Sequence, residues 1–167
     1  HQVYQSTLNM VEAKCLSAKT LLILINMLNT EHILKLVDNY DIRESMDNDV
    51  VLEIQKRLSD ADFYDFILDP RIEDKLTVSL CLDILQKLKT QKEKYTFIRV
   101  ARVHQLIMGS EEFFIRILSL VSDDTISKLF NCKALKSITS TNRVVDALVN
   151  MRQTNRQSAS VSQNIQP

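Results

Sequence analysis

The chain is predicted to be all-α on two observations. Apolar residues recur at three- and four-residue spacing almost throughout, and the turn-making residues are nearly missing: one glycine, Gly109, and two prolines, Pro70 and Pro167, in 167 residues. A chain with one glycine is poorly equipped for tight hairpin turns, for a loop that cradles phosphate, or for the strained elbow that exposes a catalytic nucleophile. The same scarcity that predicts helices therefore argues against most chemistry.

Each element follows from local pattern. Tyr4, Leu8, Val11, Cys15 and Ala18 fall on one helical stripe, which Leu22 continues past Ser17. The run Leu21 to Leu28 is far shorter than the roughly 20 apolar residues of a membrane span, and reads as a buried core helix. Thr30 is placed to cap a short helix through Ile33, Leu36 and Val37, and Asp38 to Asp49 reads as the first polar loop. Asp47 or Asn48 caps a helix that buries Val50, Val51, Ile54 and Leu58, and a short helix through Phe63, Phe66 and Ile67 follows.

Pro70 marks a boundary, because it disfavours helical geometry at Asp69 and suits a first helical turn. Beyond it Ile72, Leu76, Leu80, Ile84 and Leu88 predict one long helix over about 71–90, apolar nearly all round and therefore central. A further helix is expected over 92–108, with Gly109 as a left-handed cap and Ser110 starting the next helix to Val121. Asp123 and Asp124 open a short helix over Ile126, Leu129 and Phe130, and a last amphipathic helix runs over about 141–153. The organisation predicted is one helical domain over 1–153 and a polar tail or linker over 154–167, where Gln, Asn, Ser and Arg dominate.

Short helices of about eight residues alternate with longer ones, and two internal echoes occur. Residues 33–39 resemble 125–131 in the order apolar, Lys, apolar, Asn, and the pair 63–68 with 71–88 resembles 113–120 and the helices after it. On these grounds residues 17–153 resemble an armadillo or HEAT-type helical repeat, without the glycine such repeats often place between their first and second helices. The resemblance implies helix pairs or triplets stacked into a curved solenoid whose concave surface binds another protein. A compact irregular helical bundle is the alternative.

No residue pattern supplies an enzyme. His1, His32 and His104 show no metal-ligand spacing with each other or with cysteine, so no metal and no cofactor is expected. His104 reads as a core or boundary histidine, and His32 as a partner for a nearby acid. Asp47-Asn48-Asp49 begins like a calcium loop, but Leu52 and Leu58 stand where that loop needs Gly and Glu. The adjacent pairs Glu73-Asp74, Glu111-Glu112 and Asp123-Asp124 sit where helices begin and are explained by the helix dipole. Cys15, Cys81 and Cys132 are widely spaced, odd in number and set among apolar neighbours, which reads as buried thiols. Together with the lack of an Asn-x-Ser/Thr acceptor this points to the cytoplasm or nucleus; the chain opens on His1 and reads as a segment of a larger scaffold or regulatory subunit.

Charge is more informative. The total is zero, yet residues 31–75 hold thirteen acids against six bases, and residues 84–104 hold six bases against Glu93 alone. Lys92, Tyr95, Arg99, Arg102 and Gln105, at spacings of three and four, form the candidate partner-binding ridge on the helix expected over 92–108. Such a ridge suits an acidic, phosphorylated or helical segment of another protein. Self-assembly, with the acidic segment of one copy on the basic segment of the next, is the alternative, and nucleic acid is disfavoured by the neutral total and by a single ridge aromatic.

Overall fold

The computed structural model describes residues 1–12 and 17–164, and Cys15 lies outside them. Every described element is helical: α1 (Gln2–Glu12), α2 (Ala18–Met27), α3 (Thr30–Val37), α4 (Tyr40–Glu44), α5 (Asn48–Arg57), α6 (Asp60–Leu68) and α7 (Pro70–Glu73) are followed by α8 (Val78–Lys87), α9 (Gln91–Ile98), α10 (Ala101–Met108), α11 (Glu111–Leu118), α12 (Asp123–Phe130), a 3-10 turn (Lys133–Leu135), α13 (Lys136–Thr139) and α14 (Asn142–Asn164). No described helix is long and apolar enough to cross a membrane.

These elements recur in a three-helix order. Ser17, Asp47, Thr77, Ser110 and Thr141 each accept, through a side-chain oxygen, the backbone N–H three residues on, at spacings of 30, 30, 33 and 31 residues. Asn29, Ser59, Thr90 and Ser122 do the same for the second helices α3, α6, α9 and α12. Each such cap satisfies an orphan donor and is worth about 1 kcal/mol. Leu28, Leu58 and Leu88 stand directly after α2, α5 and α8, and all three are buried. The first echo in the sequence falls on this recurrence, at α3 and α12; the second does not, because Phe63 lies in a second helix and Phe113 in a first.

Burial follows the same count. The fourth and eighth residues after the first-helix caps are buried in four successive instances: Leu21 and Ile25, Val51 and Gln55, Cys81 and Leu85, Phe114 and Leu118. The third and seventh are buried as well in α5, α8 and α11, as Val50 and Ile54, Leu80 and Ile84, Phe113 and Ile117. A fully buried Leu, Ile or Phe contributes roughly 1.5–3 kcal/mol, so these ladders carry much of the stability. Gln55 interrupts them: its Nε2 donates to the Ile84 carbonyl at 3.2 Å, and its Oε1 is buried without a donor among the described residues.

The chain packs as two compact units, His1–Ile84 and Leu85–Pro167. In the first unit α5 packs along α2, and in the second α14 packs along α11. The units carry opposite charge: fifteen acids against eight bases, net −7, in the first, and thirteen bases against six acids, net +7, in the second.

Several expected boundaries are corrected. The helix expected over 71–90 is two, α7 and α8, because Leu76 closes a turn on Glu73 and Thr77 caps a new start. The helix expected over 92–108 is also two, because Val100 adopts φ −59° and ψ 138°, which ends α9 at Ile98 and opens α10 at Ala101. Asn29, not Thr30, caps α3, and α14 continues past 153 to Asn164. The run 21–28 is only half buried: Leu21, Ile25 and Leu28 face inward, while Ile23 is 56% and Met27 63% exposed. Cys81 is buried, but Cys132 only half so.

The stretch expected to be a loop, 38–49, contains α4, and its anchor is a buried cation. Ile42 and Met46 are buried, and the Arg43 side chain is only 7% exposed. Its Nε donates to the Val37 carbonyl, Nη1 to Asp69 Oδ2, and Nη2 to Asp38 Oδ1 at 3.5 Å. Lys75 Nζ donates to the carbonyls of Arg43 and Met46, ending α4, and partial burial pushes this ammonium down from its ordinary value. Arg43→Met should cost about 3 kcal/mol, since it removes the buried donor to the Val37 carbonyl and the cation paired with the half-buried Asp69, and should lower the urea midpoint of the first unit while leaving its helical circular dichroism intact.

Gly109 is not in the left-handed region expected of it. Its φ is −89° and ψ −8°, and a Cβ there would meet only the Gln105 and Leu106 carbonyls, each at 3.6 Å. Gly109→Ala is therefore expected to stabilise the second unit by roughly 0.5–1 kcal/mol through the unfolded chain; a lowered midpoint in urea would contradict the right-handed conformation.

Candidate functional site: a cationic cluster around Tyr95

The break after Ile98 divides the ridge expected on one helix. Lys92 and Tyr95 belong to α9 and Arg99 is its C-terminal cap, whereas Arg102 and Gln105 belong to α10. Lys92, Arg99 and Gln105 are exposed, Tyr95 and Arg102 half-buried. The five residues therefore do not share one helix face. Nothing in the sequence marks the break, because neither glycine nor proline makes it: the Arg99 amide is satisfied by the carbonyls of Tyr95 and Thr96, and the chain then turns out at Val100.

What the structure brings together is smaller and crosses to another helix. Two side chains seat α9. At its N-terminus Gln91 Oε1 accepts from the Ser122 amide at 2.9 Å and from Thr125 Oγ1 at 3.1 Å, tying it to the start of α12. Further along, Lys94 Nζ donates to the Leu120 carbonyl at 3.0 Å, just beyond the end of α11, where the helix dipole favours a cation. With α9 and α12 so paired, Tyr95 meets Lys128.

Two cations lie over the Tyr95 ring. Arg99 Cζ is 5.9 Å and Lys128 Nζ 5.8 Å from its centroid, and Arg99 Nη1 also donates to the Tyr95 hydroxyl at 3.0 Å. Each cation–π contact at such exposure is worth about 0.5–1 kcal/mol. The Tyr95 hydroxyl, and after it Cys132, push the Arg99 guanidinium up from its ordinary value, so the group is charged at any working pH. Among the described residues no carboxylate lies within ion-pairing distance of Arg99 or Lys128.

The matching position in the first unit shows how unusual this is. Lys35, the sixth residue after the cap of α3 as Lys128 is after the cap of α12, is neutralised by Glu31 at 3.0 Å. Lys128 turns to an aromatic face instead and keeps its charge available. An aromatic ring flanked by two oriented cations can receive a carboxylate or phosphoryl group through charge-assisted hydrogen bonds, with the ring as an apolar platform.

The other residues weighed for chemistry have structural places. Asp47 is the α5 cap, and no group of His, Cys, Asp or Glu among the described residues is arranged to hold a metal. His32 stacks on Tyr4 at 5.0 Å rather than meeting an acid side chain, and His104 is half-buried on α10. No protein family, curated protein or solved structure matches this chain.

Proposed function

We propose that the chain is a non-catalytic protein–protein interaction module, an armadillo-like segment of a larger scaffold or regulatory subunit, that binds an acidic partner segment through the Tyr95–Arg99–Lys128 cluster. The observation that carries this reading is the pair of cations held on one ring with no carboxylate of the described residues within ion-pairing distance. The helical-repeat reading is supported by the recurrence of caps and buried ladders every 30–33 residues, which resembles the helix triplets of that class. The net charge of +7 on the second unit would draw an acidic segment in, and the cluster would fix its position.

The test is direct. A fluorescein-labelled oligoglutamate peptide is expected to bind the intact chain at low salt, with affinity falling as salt rises. Arg99→Glu with Lys128→Glu should weaken binding at least tenfold, about 1.4 kcal/mol, while the melting midpoint falls by no more than the several degrees that losing two exposed cation–π contacts implies. Equal binding by the double variant would remove the site assignment.

A further inference from the structure

We infer that the acidic partner of the Tyr95–Arg99–Lys128 cluster is the second-helix face of the first unit of another copy of this chain. The inference rests on the binding reading above and names its partner. Its basis is that equivalent surfaces of the two units carry opposite charge.

On the second helices the fifth, sixth and ninth residues after the cap occupy equivalent positions. In α9 and α12 these supply Tyr95, Arg99 and Lys128. In α3 and α6 they supply Leu34, Lys35, Asp38, Tyr64, Asp65 and Leu68; Lys35 is neutralised by Glu31, and Leu34, Asp38, Asp65 and Leu68 line a cavity of about 440 Å³ together with Asp62 and Asp69. Arg43 also borders this cavity but is engaged by Val37, Asp38 and Asp69. Asp65 and Leu68 are both exposed, an anion beside a side chain that is 42% open to solvent.

Such a concavity fits what the cluster offers. A lysine or arginine lays its aliphatic stem along Leu34 and Leu68 and brings its charge to Asp62 and Asp65. The balance of charge favours a second copy over other acidic proteins. The chain as a whole is neutral, so two copies do not repel at long range, while −7 on one unit faces +7 on the other when copies meet first unit to second. The contact is heterologous: each copy would present one surface of each kind, so assembly continues until a ring closes or the chains run out.

Sedimentation velocity on the intact chain tests this. At about 20 mM salt the sedimentation coefficient should rise with concentration, and at about 500 mM, where screening shortens to roughly 4 Å, it should return to that of a monomer. The variant R99E/K128E spoils one surface and D65K/L68K the other, so each alone should stay monomeric. Mixed in equal amounts they should form a one-to-one complex and nothing larger, because each retains one intact surface. If D65K/L68K does not melt like the parent chain, D65N/L68S replaces it in the mixture. A parent chain that stays monomeric at low salt, a single-surface variant that assembles like the parent, or a mixture that forms no complex overturns the inference. The oligoglutamate measurement separates the two claims: peptide binding lost only in R99E/K128E keeps the cluster as a binding site while self-assembly falls, and no peptide binding by a monomeric parent removes both.

Discussion

Helices of eight to ten residues do not hold themselves together in water, since nucleation costs more than so few backbone bonds return. Most helices here are of that length or shorter, so they depend on a neighbour that covers the apolar ladder and, in all the first and second helices from α2 to α12, on a side chain that caps the first turn. Both requirements are met at fixed offsets. The cap oxygens at Ser17, Asp47, Thr77, Ser110 and Thr141 set where each first helix begins, and in α2, α5, α8 and α11 the residues four and eight places on then fall into the core. Arg43 serves the same constraint where a helix is only five residues long and cannot bury enough: its guanidinium gathers the end of α3, α4 and Asp69 around one buried charge.

With the inward positions committed to packing, the exposed positions on the second helices are free to vary in charge, and they do. Leu34 and Asp38 of α3 stand where α9 has Tyr95 and Arg99, and Asp65 of α6 where α12 has Lys128, on helices that each begin at a capping side chain. The recurring caps thus carry two surface chemistries while the inward ladders stay committed to packing.

The helical class was legible because burial follows a 3.6-residue period that glycine and proline scarcely interrupt, and the caps at Asp47 and Ser110 were legible because Asp and Ser there precede apolar ladders. The breaks at 74–77 and 99–100 were not. Leu76 and Leu80, or Arg99 and Arg102, keep helical spacing across a turn, since a turn that advances the chain by a whole number of helical steps leaves the apolar stripe intact on both sides. Thr77 was the signal available at the first, a hydroxyl residue at the head of a helix, as a cap should be; the second, at Val100, has no side-chain cap to betray it. At Gly109 the reasoning from residue type failed in the other direction, because a glycine that ends a helix need not use the left-handed conformation it permits.

The break divides the expected ridge, and what remains together is the part on α9. Had 92–108 been one helix, Arg99, Arg102 and Gln105 would have formed an extended stripe of solvated side chains, each free to find water. Arg99 keeps right-handed dihedrals one turn after Tyr95, so its guanidinium reaches back to the Tyr95 hydroxyl, and because Gln91 binds the start of α12, Lys128 is carried to the same ring. The ring and its hydroxyl then restrict where the two charges lie, so fewer rotamers remain open to them than to solvated side chains. Lys35, on an equivalent helix but beside Glu31, has no such freedom to act. Asp124 stands one turn before Lys128 as Glu31 does before Lys35, so the difference between a neutralised lysine and an available one here lies in the neighbouring ring within reach of Lys128.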